Sequence, residues 1–174
     1  MRDIRTLDPA PLRCKEPVIA QYLTVLDDTR RRTKNCIAGF ADDVLSWRPS
    51  AEQSSIADLL YHIALVEADW LCDDVLGIEY PAHIRQLFPE SMRDDQGRLM
   101  HHGTETLQGL VARLDVVRGE LLAAFTPMEL TEFRRIRIFP KYEVTPEWVL
   151  HHLAQHEAEH RGQIRVLRSR FPSP

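Results

Sequence analysis

The sequence lacks the features that mark membrane, secreted and nucleic-acid-binding proteins. No run approaches the roughly 18 consecutive apolar residues of a membrane span, and residues 1–17 lack the apolar core of a signal peptide. The three cysteines, Cys14, Cys36 and Cys72, lie far apart and outside any Cys-x-x-Cys pair, which is typical of free thiols in a reducing compartment. A formal net charge of −4 gives no electrostatic footprint for a nucleic-acid backbone. We therefore expect a cytoplasmic protein that binds neither membranes nor nucleic acid.

Repeats, low-complexity tracts and glycine-rich phosphate loops are also missing. The composition is otherwise ordinary, with 44% hydrophobic and 28% charged residues, and it can supply a sizeable core. A length of 174 residues suits one domain. We predict a single domain over residues 1–174, in which residues 1–16 form an amino-terminal arm.

Four segments repeat apolar residues with the 3.6-residue period of a helix. They cover, approximately, residues 17–40, 55–76, 103–126 and 146–170. Pro17 opens the first segment, and Thr145 with Pro146 opens the last, in the positions where helices begin. Four long helices without a convincing sheet predict an all-α protein, an antiparallel four-helix bundle with long connections between helices 2 and 3 and between helices 3 and 4.

The last predicted helix carries histidines on its apolar face. On a helical wheel of about 100° per residue, His152, His156 and His160 fall within about 80° of one another, whereas His151 points to solvent. Residues four apart approach to about 6 Å at Cβ, so two imidazoles can bind one ion. Burying imidazoles without partners would be costly, and a metal ion satisfies one nitrogen of each ring. The alternative is a chance His-x-x-x-His pair with no ligand.

A third candidate ligand, His62, lies at the edge of the apolar face of the second helix. Taken alone it would be interpreted as a boundary histidine bonded to a backbone carbonyl. Beside the histidines of the last helix, the interpretation as a metal ligand is favoured. The remaining histidines, His83, His101 and His102, lie in or beside a long connector and are expected to be solvated.

Glu67 is the candidate catalytic carboxylate, because it flanks the apolar arc of the second helix and needs a buried partner. A structural ion pair with Arg161 is the first interpretation of this residue, and ligand binding or acid/base catalysis are the alternatives. Asp58 and Asp69 are expected to be solvated charges. Gln163, on the last helix, either supports the metal ligands or is an amide at the edge of the core.

Together these residues resemble the DinB-like superfamily, which includes the YfiT-type metal-dependent hydrolases. The resemblance rests on a Trp-Arg-Pro turn at residues 47–49, on "HIALVEADW" at 62–70 and on "HEAEHRGQI" at 156–164. It covers about residues 17–170. The paired motifs in this order carry the resemblance, since each motif alone is weak.

This resemblance implies a four-helix bundle that forms a homodimer. It also implies one divalent metal ion per chain, zinc or nickel, held by His62, His156 and His160. His152 is not among these three ligands and is left with a supporting role.

Three neutral histidines leave one coordination position open to water or substrate. An ion in such a site can activate water to attack an amide or ester, or can deprotonate a small thiol that attacks an electrophile. The resemblance favours the second reaction, because some members of the superfamily transfer low-molecular-weight thiols such as bacillithiol, mycothiol or glutathione. Hydrolysis with Glu67 as acid/base is the second hypothesis. A non-catalytic, metal-stabilised dimeric stress protein is the third.

Overall fold

A computed structural model describes Leu7 and residues 14–172, and four long helices dominate this part of the chain. They are α1 (Pro17–Ile37), α3 (Ile56–Asp69), α5 (Leu107–Phe125) and α7 (Pro146–Arg170). Three short helices lie in the connections, namely α2 (Asp42–Ser46), α4 (Ala82–Leu87) and α6 (Leu130–Phe133). The antiparallel strands β1 (Arg137–Ile138) and β2 (Glu143–Val144) form a small hairpin before α7. None of these described helices is long and apolar enough to cross a bilayer.

The predicted amino-terminal arm, residues 1–16, lies outside the described residues except for Leu7 and residues 14–16. Within the described chain the three cysteines are free thiols, as the sequence predicts.

The long helices begin where capping chemistry places them. Thr145 accepts a hydrogen bond from the backbone N–H of Trp148 at the start of α7. Ser55 and Asp58 bond to each other's backbone N–H groups at the start of α3, as in a capping box. Beyond α3 the chain continues as a π-helical segment (Trp70–Leu76), and this segment ends at Gly77, whose φ of 64° lies in the left-handed region that favours glycine.

The two helices that carry the histidines, α3 and α7, pack against each other in antiparallel directions. Trp70 near the end of α3 meets Trp148 near the start of α7, whereas His62 lies against His156 further along α7. The helices α1 and α5 also run in opposite directions. These antiparallel pairs belong to the predicted all-α four-helix bundle, which the structure confirms.

The other two neighbouring pairs run parallel, so the predicted antiparallel arrangement holds for only two of the four neighbouring pairs of long helices. Tyr61 and Glu67 on α3 meet Arg113 and Arg118 on α5, in the same order along both helices. The connection through residues 77–106 returns the chain to the end of the bundle at which α3 begins, and α5 starts there. The helices α1 and α7 are parallel as well.

The apolar core has two halves, one toward each end of the bundle. Between them each long helix contributes one buried ionic residue, Arg30, Glu67, Arg118 and Glu157 in chain order. We call these four residues the ionic layer. Such a layer holds the four helices at one level, and the candidate site lies beside it on α3 and α7.

Candidate metal centre

Three of the sequence-predicted site residues converge in the structure. His62 projects from α3, and His156 and His160 project from consecutive turns of α7. One ring nitrogen from each lies within 4.8 Å of the others. The Nε2 atom of His156 is 3.2 Å from Nε2 of His62 and 3.0 Å from Nε2 of His160. The three Nε2 atoms therefore face one common point.

Gln163 fixes the proton of one of these rings. The Nδ1 atom of His160 lies 2.8 Å from Oε1 of Gln163. An amide oxygen only accepts, so Nδ1 donates and the neutral ring keeps its Nε2 lone pair directed at the other histidines. Gln163 thus supports the site as a hydrogen-bond acceptor. His62 differs, because its Nδ1 is buried and has no hydrogen-bond partner among the described residues.

Burial keeps two of the three imidazoles, His62 and His156, neutral. Burial, with the neighbouring His160 adding to the effect, lowers the pKa of His62 to about 4. It lowers the pKa of His156 to about 3, with His160 and His62 adding to the effect. Neutral imidazole is the form that binds metal ions, so at neutral pH these rings present lone pairs rather than charges.

The donor set fits a divalent ion. Imidazole nitrogen suits zinc and nickel, and three histidines are a protein set that leaves a position open. No carboxylate or thiol in the described ranges joins the three nitrogens as a further donor. Three lone pairs at about 3 Å would repel one another, and a cation between them would remove that repulsion. His62, His156 and His160 could therefore hold one divalent ion.

His152 does not join the three rings. Its ring stacks on Trp148 at a centroid distance of 4.9 Å and contacts Trp70 at 5.1 Å. The centroid of His156 lies 5.8 Å away. Burial lowers the pKa of His152 as well. His151 is exposed, as the wheel predicts.

Alanine substitutions on α7 should separate these roles. We expect His151→Ala to leave the ion content of the protein unchanged, because the ring points to solvent. His152→Ala should retain the ion with a small loss of affinity, because it removes a neighbour of His156 but no donor. Elemental analysis after dialysis measures both. A large loss of ion from the His151→Ala protein would show that the faces of α7 are assigned incorrectly.

The predicted ion pair between Glu67 and Arg161 is wrong. Arg161 instead donates from Nη1 to the carbonyl of Thr29, at 3.1 Å. Glu67 accepts from Arg30 at 2.6 Å and from Arg118 at 2.6 and 3.0 Å. Burial alone would raise the pKa of Glu67, but the two guanidinium groups hold it below its ordinary value. Glu67 is therefore an ionised carboxylate with both oxygens occupied.

Glu157 completes the ionic layer and was not singled out from the sequence. It is 1% exposed and accepts from Arg30 at 2.9 Å and from Arg118 at 3.2 Å. Each arginine also donates to a backbone carbonyl, of Leu114 and Leu26 respectively. A signal was present in the sequence, because each arginine interrupts the apolar stripe of its own helix.

Two residues predicted to be solvated, His102 and Asp58, are buried in the structure. His102 is 7% exposed and stacks on Tyr61 at 3.6 Å, so the prediction that it is solvated is wrong. Asp58, also predicted to be solvated, is buried because it accepts from the backbone N–H groups of Ser55 and His102 and from Arg48. These donors outweigh burial and lower the pKa of Asp58.

The predictions that His83 and His101 are solvated agree with the structure, and the same prediction for Asp69 agrees in part. His83 and His101 have exposed side chains, as predicted. Asp69 is half-buried and accepts a hydrogen bond from the hydroxyl of Tyr80. Burial raises the pKa of Asp69.

Known proteins share this sequence pattern and this fold. The uncharacterized protein YuaE of Bacillus subtilis (strain 168) is 24% identical over 161 residues, which cover 86% of this chain and 98% of YuaE. A crystal structure of a conserved protein from Enterococcus faecalis superposes with a TM-score of 0.67 at 15% identity, over 85% of this chain and 93% of that chain, and shows the same fold. Residues 21–172 match the family model for mycothiol-S-transferase. Since that match spans most of the chain, the protein belongs to the mycothiol-S-transferase family, within the DinB-like superfamily.

Proposed function

We propose that this protein transfers a low-molecular-weight thiol to a small electrophile at a divalent ion held by His62, His156 and His160. The observation that carries the proposal is the convergence of three imidazoles on one point, with no fourth protein donor among the described residues. The family description names mycothiol, so mycothiol is the first thiol to test. Zinc and nickel are the ions to test first, because the resemblance to the DinB-like superfamily implies them and imidazole nitrogen suits both.

The reaction is a displacement at carbon. A divalent ion with an open position lowers the pKa of a thiol, so that the nucleophile forms near neutral pH. The thiol sulfur forms a bond to the electrophilic carbon as the leaving group departs with its electron pair, and the thiol proton passes to solvent. Burial holds His62 and His156 neutral, and Gln163 accepts from Nδ1 of His160, which leaves Nε2 of that ring directed inward.

A cleft beside His160, with apolar walls that include Leu59, Val166 and Leu167 and with several polar groups, supports the binding of a thiol. The cleft has a volume of about 600 Å³, and Gln163 lines it as well as bonding to His160. Its other polar lining residues include Gln53, Ser54, Glu159 and Arg170. Amide, hydroxyl and charged groups suit the hydrogen-bonding groups of a small polar thiol. We therefore propose that the thiol lies in this cleft with its sulfur toward the histidines.

Hydrolysis ranks below thiol transfer because its acid/base is not free. Both oxygens of Glu67 accept from guanidinium groups, and the side chain is 2% exposed. A general base must reach the proton that it removes within hydrogen-bond distance. We propose that Glu67 stabilises the fold and takes no part in proton transfer.

The direct test combines ion content with thiol conjugation. We expect untagged protein to contain about one zinc or nickel ion per chain, and to conjugate mycothiol to chloroacetamide at a rate that chelation abolishes and ion addition restores. His156→Ala should lose the ion and the activity together, whereas His151→Ala, one residue away on the exposed face, should keep both. Mass spectrometry of the thioether product and elemental analysis provide the measurements.

Two outcomes would contradict the proposal. Turnover that continues after the ion has been removed would exclude the metal from the reaction. An ion that is bound by all three histidines without thiol transfer to any electrophile, with mycothiol, bacillithiol or glutathione, would leave the non-catalytic metal-stabilised bundle as the function.

A further inference from the structure

An aromatic cleft opens at the amino-terminal end of α7. Its volume is about 310 Å³, and it is lined by Ile136, Tyr142, Glu143, Val144, Thr145 and Trp148. Trp148 is 46% exposed and Tyr142 is 45% exposed, although both are large and largely apolar. Ligand sites combine apolar and aromatic walls with a few polar groups in volumes of this size. The cleft has that composition, and no step of the proposed reaction has used it.

Aromatic rings connect this cleft to the histidines. The ring of Trp148 lies parallel to that of His152, with an interplanar angle of 6° and a centroid distance of 4.9 Å. Trp70 packs against both, at 5.4 Å from Trp148 and 5.1 Å from His152. His152 in turn lies 5.8 Å from His156. Trp70, Trp148 and His152, which we call the aromatic wall, therefore join the cleft to the candidate metal centre.

The distance between the cleft and the histidines, and the charge of the cleft, restrict the ligand. Trp148 and His156 are eight residues apart on α7, which corresponds to about 12 Å along the helix axis. A group that fills the cleft while its reactive carbon reaches the histidines must therefore be elongated. Glu143 is the charged side chain that lines the cleft, so an anionic ligand would be repelled. Flat aromatic rings stack on tryptophan more favourably than aliphatic groups do.

We propose that the cleft and the aromatic wall bind the electrophile, and that they select electrophiles with an extended aromatic group that carries no negative charge. This inference deepens the proposed function and rests on it for the position of the reacting carbon. The polar thiol lies beside His160 and the aromatic group beside Trp148, so the two substrates approach the histidines from opposite directions along α7. His152 belongs to the electrophile site in this arrangement and does not act as a metal ligand.

Matched electrophiles test the selectivity. N-(2-naphthyl)chloroacetamide and chloroacetamide share the same reacting carbon, and in both the sulfur–carbon bond forms as chloride leaves with its electron pair and the thiol proton passes to solvent. We expect kcat/KM for the naphthyl compound to exceed that for chloroacetamide by about tenfold or more, the equivalent of one stacked ring. Trp148→Ala should remove most of this preference, because it should lower kcat/KM for the naphthyl compound by a larger factor than kcat/KM for chloroacetamide.

Two further variants keep this test interpretable. Trp148→Phe preserves an aromatic face and should retain part of the preference. Val116→Ala, at an exposed apolar residue of α5 outside the cleft, should leave both rates unchanged. An equal loss for both electrophiles in Trp148→Ala would contradict selective binding.

A binding measurement separates this inference from the proposed function. N-(2-naphthyl)acetamide cannot react because it has no leaving group. When it is added to the holoprotein, we expect the indole N–H resonances of Trp148 and Trp70 to shift. That of Trp47, which packs on Phe171, should not shift. If these resonances shift but no turnover is detected, the thiol-transfer proposal is contradicted and the aromatic binding site is supported. If the resonances do not shift, the aromatic binding site is contradicted.

The predicted homodimer offers a different occupant for the cleft, a second copy of the chain. Analytical ultracentrifugation distinguishes this outcome. Conversion of a dimer to a monomer by Trp148→Ala, with the naphthyl preference unchanged, would make the cleft an interface and overturn the inference. An unchanged oligomeric state with a lost preference would support it.

Discussion

The Glu67→Gln protein is expected to lose about 3–5 kcal/mol of its free energy of unfolding, the cost of breaking a buried ion pair from one side. Glu67 accepts hydrogen bonds from Arg30 and Arg118, and both guanidinium groups are nearly inaccessible to solvent. Neutral glutamine would leave Glu157 as the one negative charge of the ionic layer against two buried guanidinium groups. A chain of this length shifts its melting temperature by about 2–4 °C per kcal/mol, so the loss should be on the order of 10 °C.

Solvent exposure supplies the control for this prediction. Glu79 is 91% exposed in its pair with Arg85, so Glu79→Gln should change stability very little. The pKa of Glu67 is lowered from its ordinary value of 4.5, so its stabilising effect is present above that pH and disappears as the pH falls through the lower value of the folded state. Urea unfolding at several pH values measures both effects, and the gap between wild type and Glu67→Gln should narrow in acid.

Turnover of the folded Glu67→Gln protein distinguishes structure from catalysis. A residue of the ionic layer should affect the amount of folded protein and leave the rate per folded molecule within a few-fold. A loss of turnover of about 10² or more, with the ion still bound, would instead identify Glu67 as an acid/base.

The four long helices could be predicted from the sequence because local physics determines them. Apolar residues recur with the helical period, and Pro17, Thr145 and Pro146 mark two of the starts that the structure shows. The direction in which each helix runs could not be predicted in the same way, because it depends on how far each connection carries the chain. Residues 77–106 have no helical period long enough to indicate their path, so the parallel packing of α3 on α5 appears only in the structure.

The histidine cluster could be predicted for two reasons. His156 and His160 are four residues apart on one helix, and a helical wheel places His62 at the edge of the apolar face of α3. A wheel assigns a face, however, and does not assign a partner. It placed Glu67 beside the apolar arc correctly, but Arg30 and Arg118, on helices α1 and α5, supply the partners instead of Arg161. Ionic pairs across helices depend on the rotation of each helix and on the level at which they meet.

Burial of the connector depends on contacts between distant parts of the chain. His102 lies 41 residues from Tyr61 in the sequence, and its ring stacks there because the connector folds back onto α3. Asp58 draws donors from α3 itself, from Arg48 and from the backbone of His102. A carboxylate that caps a helix usually remains at the surface, and only the returning connector buries this one.

We expect the His62→Leu protein to be at least as stable as wild type without the metal ion, and less stable than wild type with it. The Nδ1 atom of His62 is buried and has no hydrogen-bond partner in the part of the chain that the structure describes, and a buried unsatisfied polar group costs about 1–3 kcal/mol. In the presence of chelator, His62→Leu should therefore be at least as stable as wild type. With zinc or nickel at about a thousandfold above its dissociation constant, wild type should gain about 4 kcal/mol that the variant does not gain.

The same substitution should nearly abolish thiol transfer. Lewis-acid activation supplies several kcal/mol, and each 1.36 kcal/mol is tenfold in rate, so we expect a loss of about 10³. Thermal unfolding with and without the ion, elemental analysis and product formation are measured on the same samples, with His83→Leu as the control because the side chain of His83 is exposed. Retention of the ion by His62→Leu would remove this residue from the ligand set. A variant much less stable than wild type in chelator would mean that His62 supports the fold itself, because a residue kept only for the ion stabilises the protein only when the ion is bound.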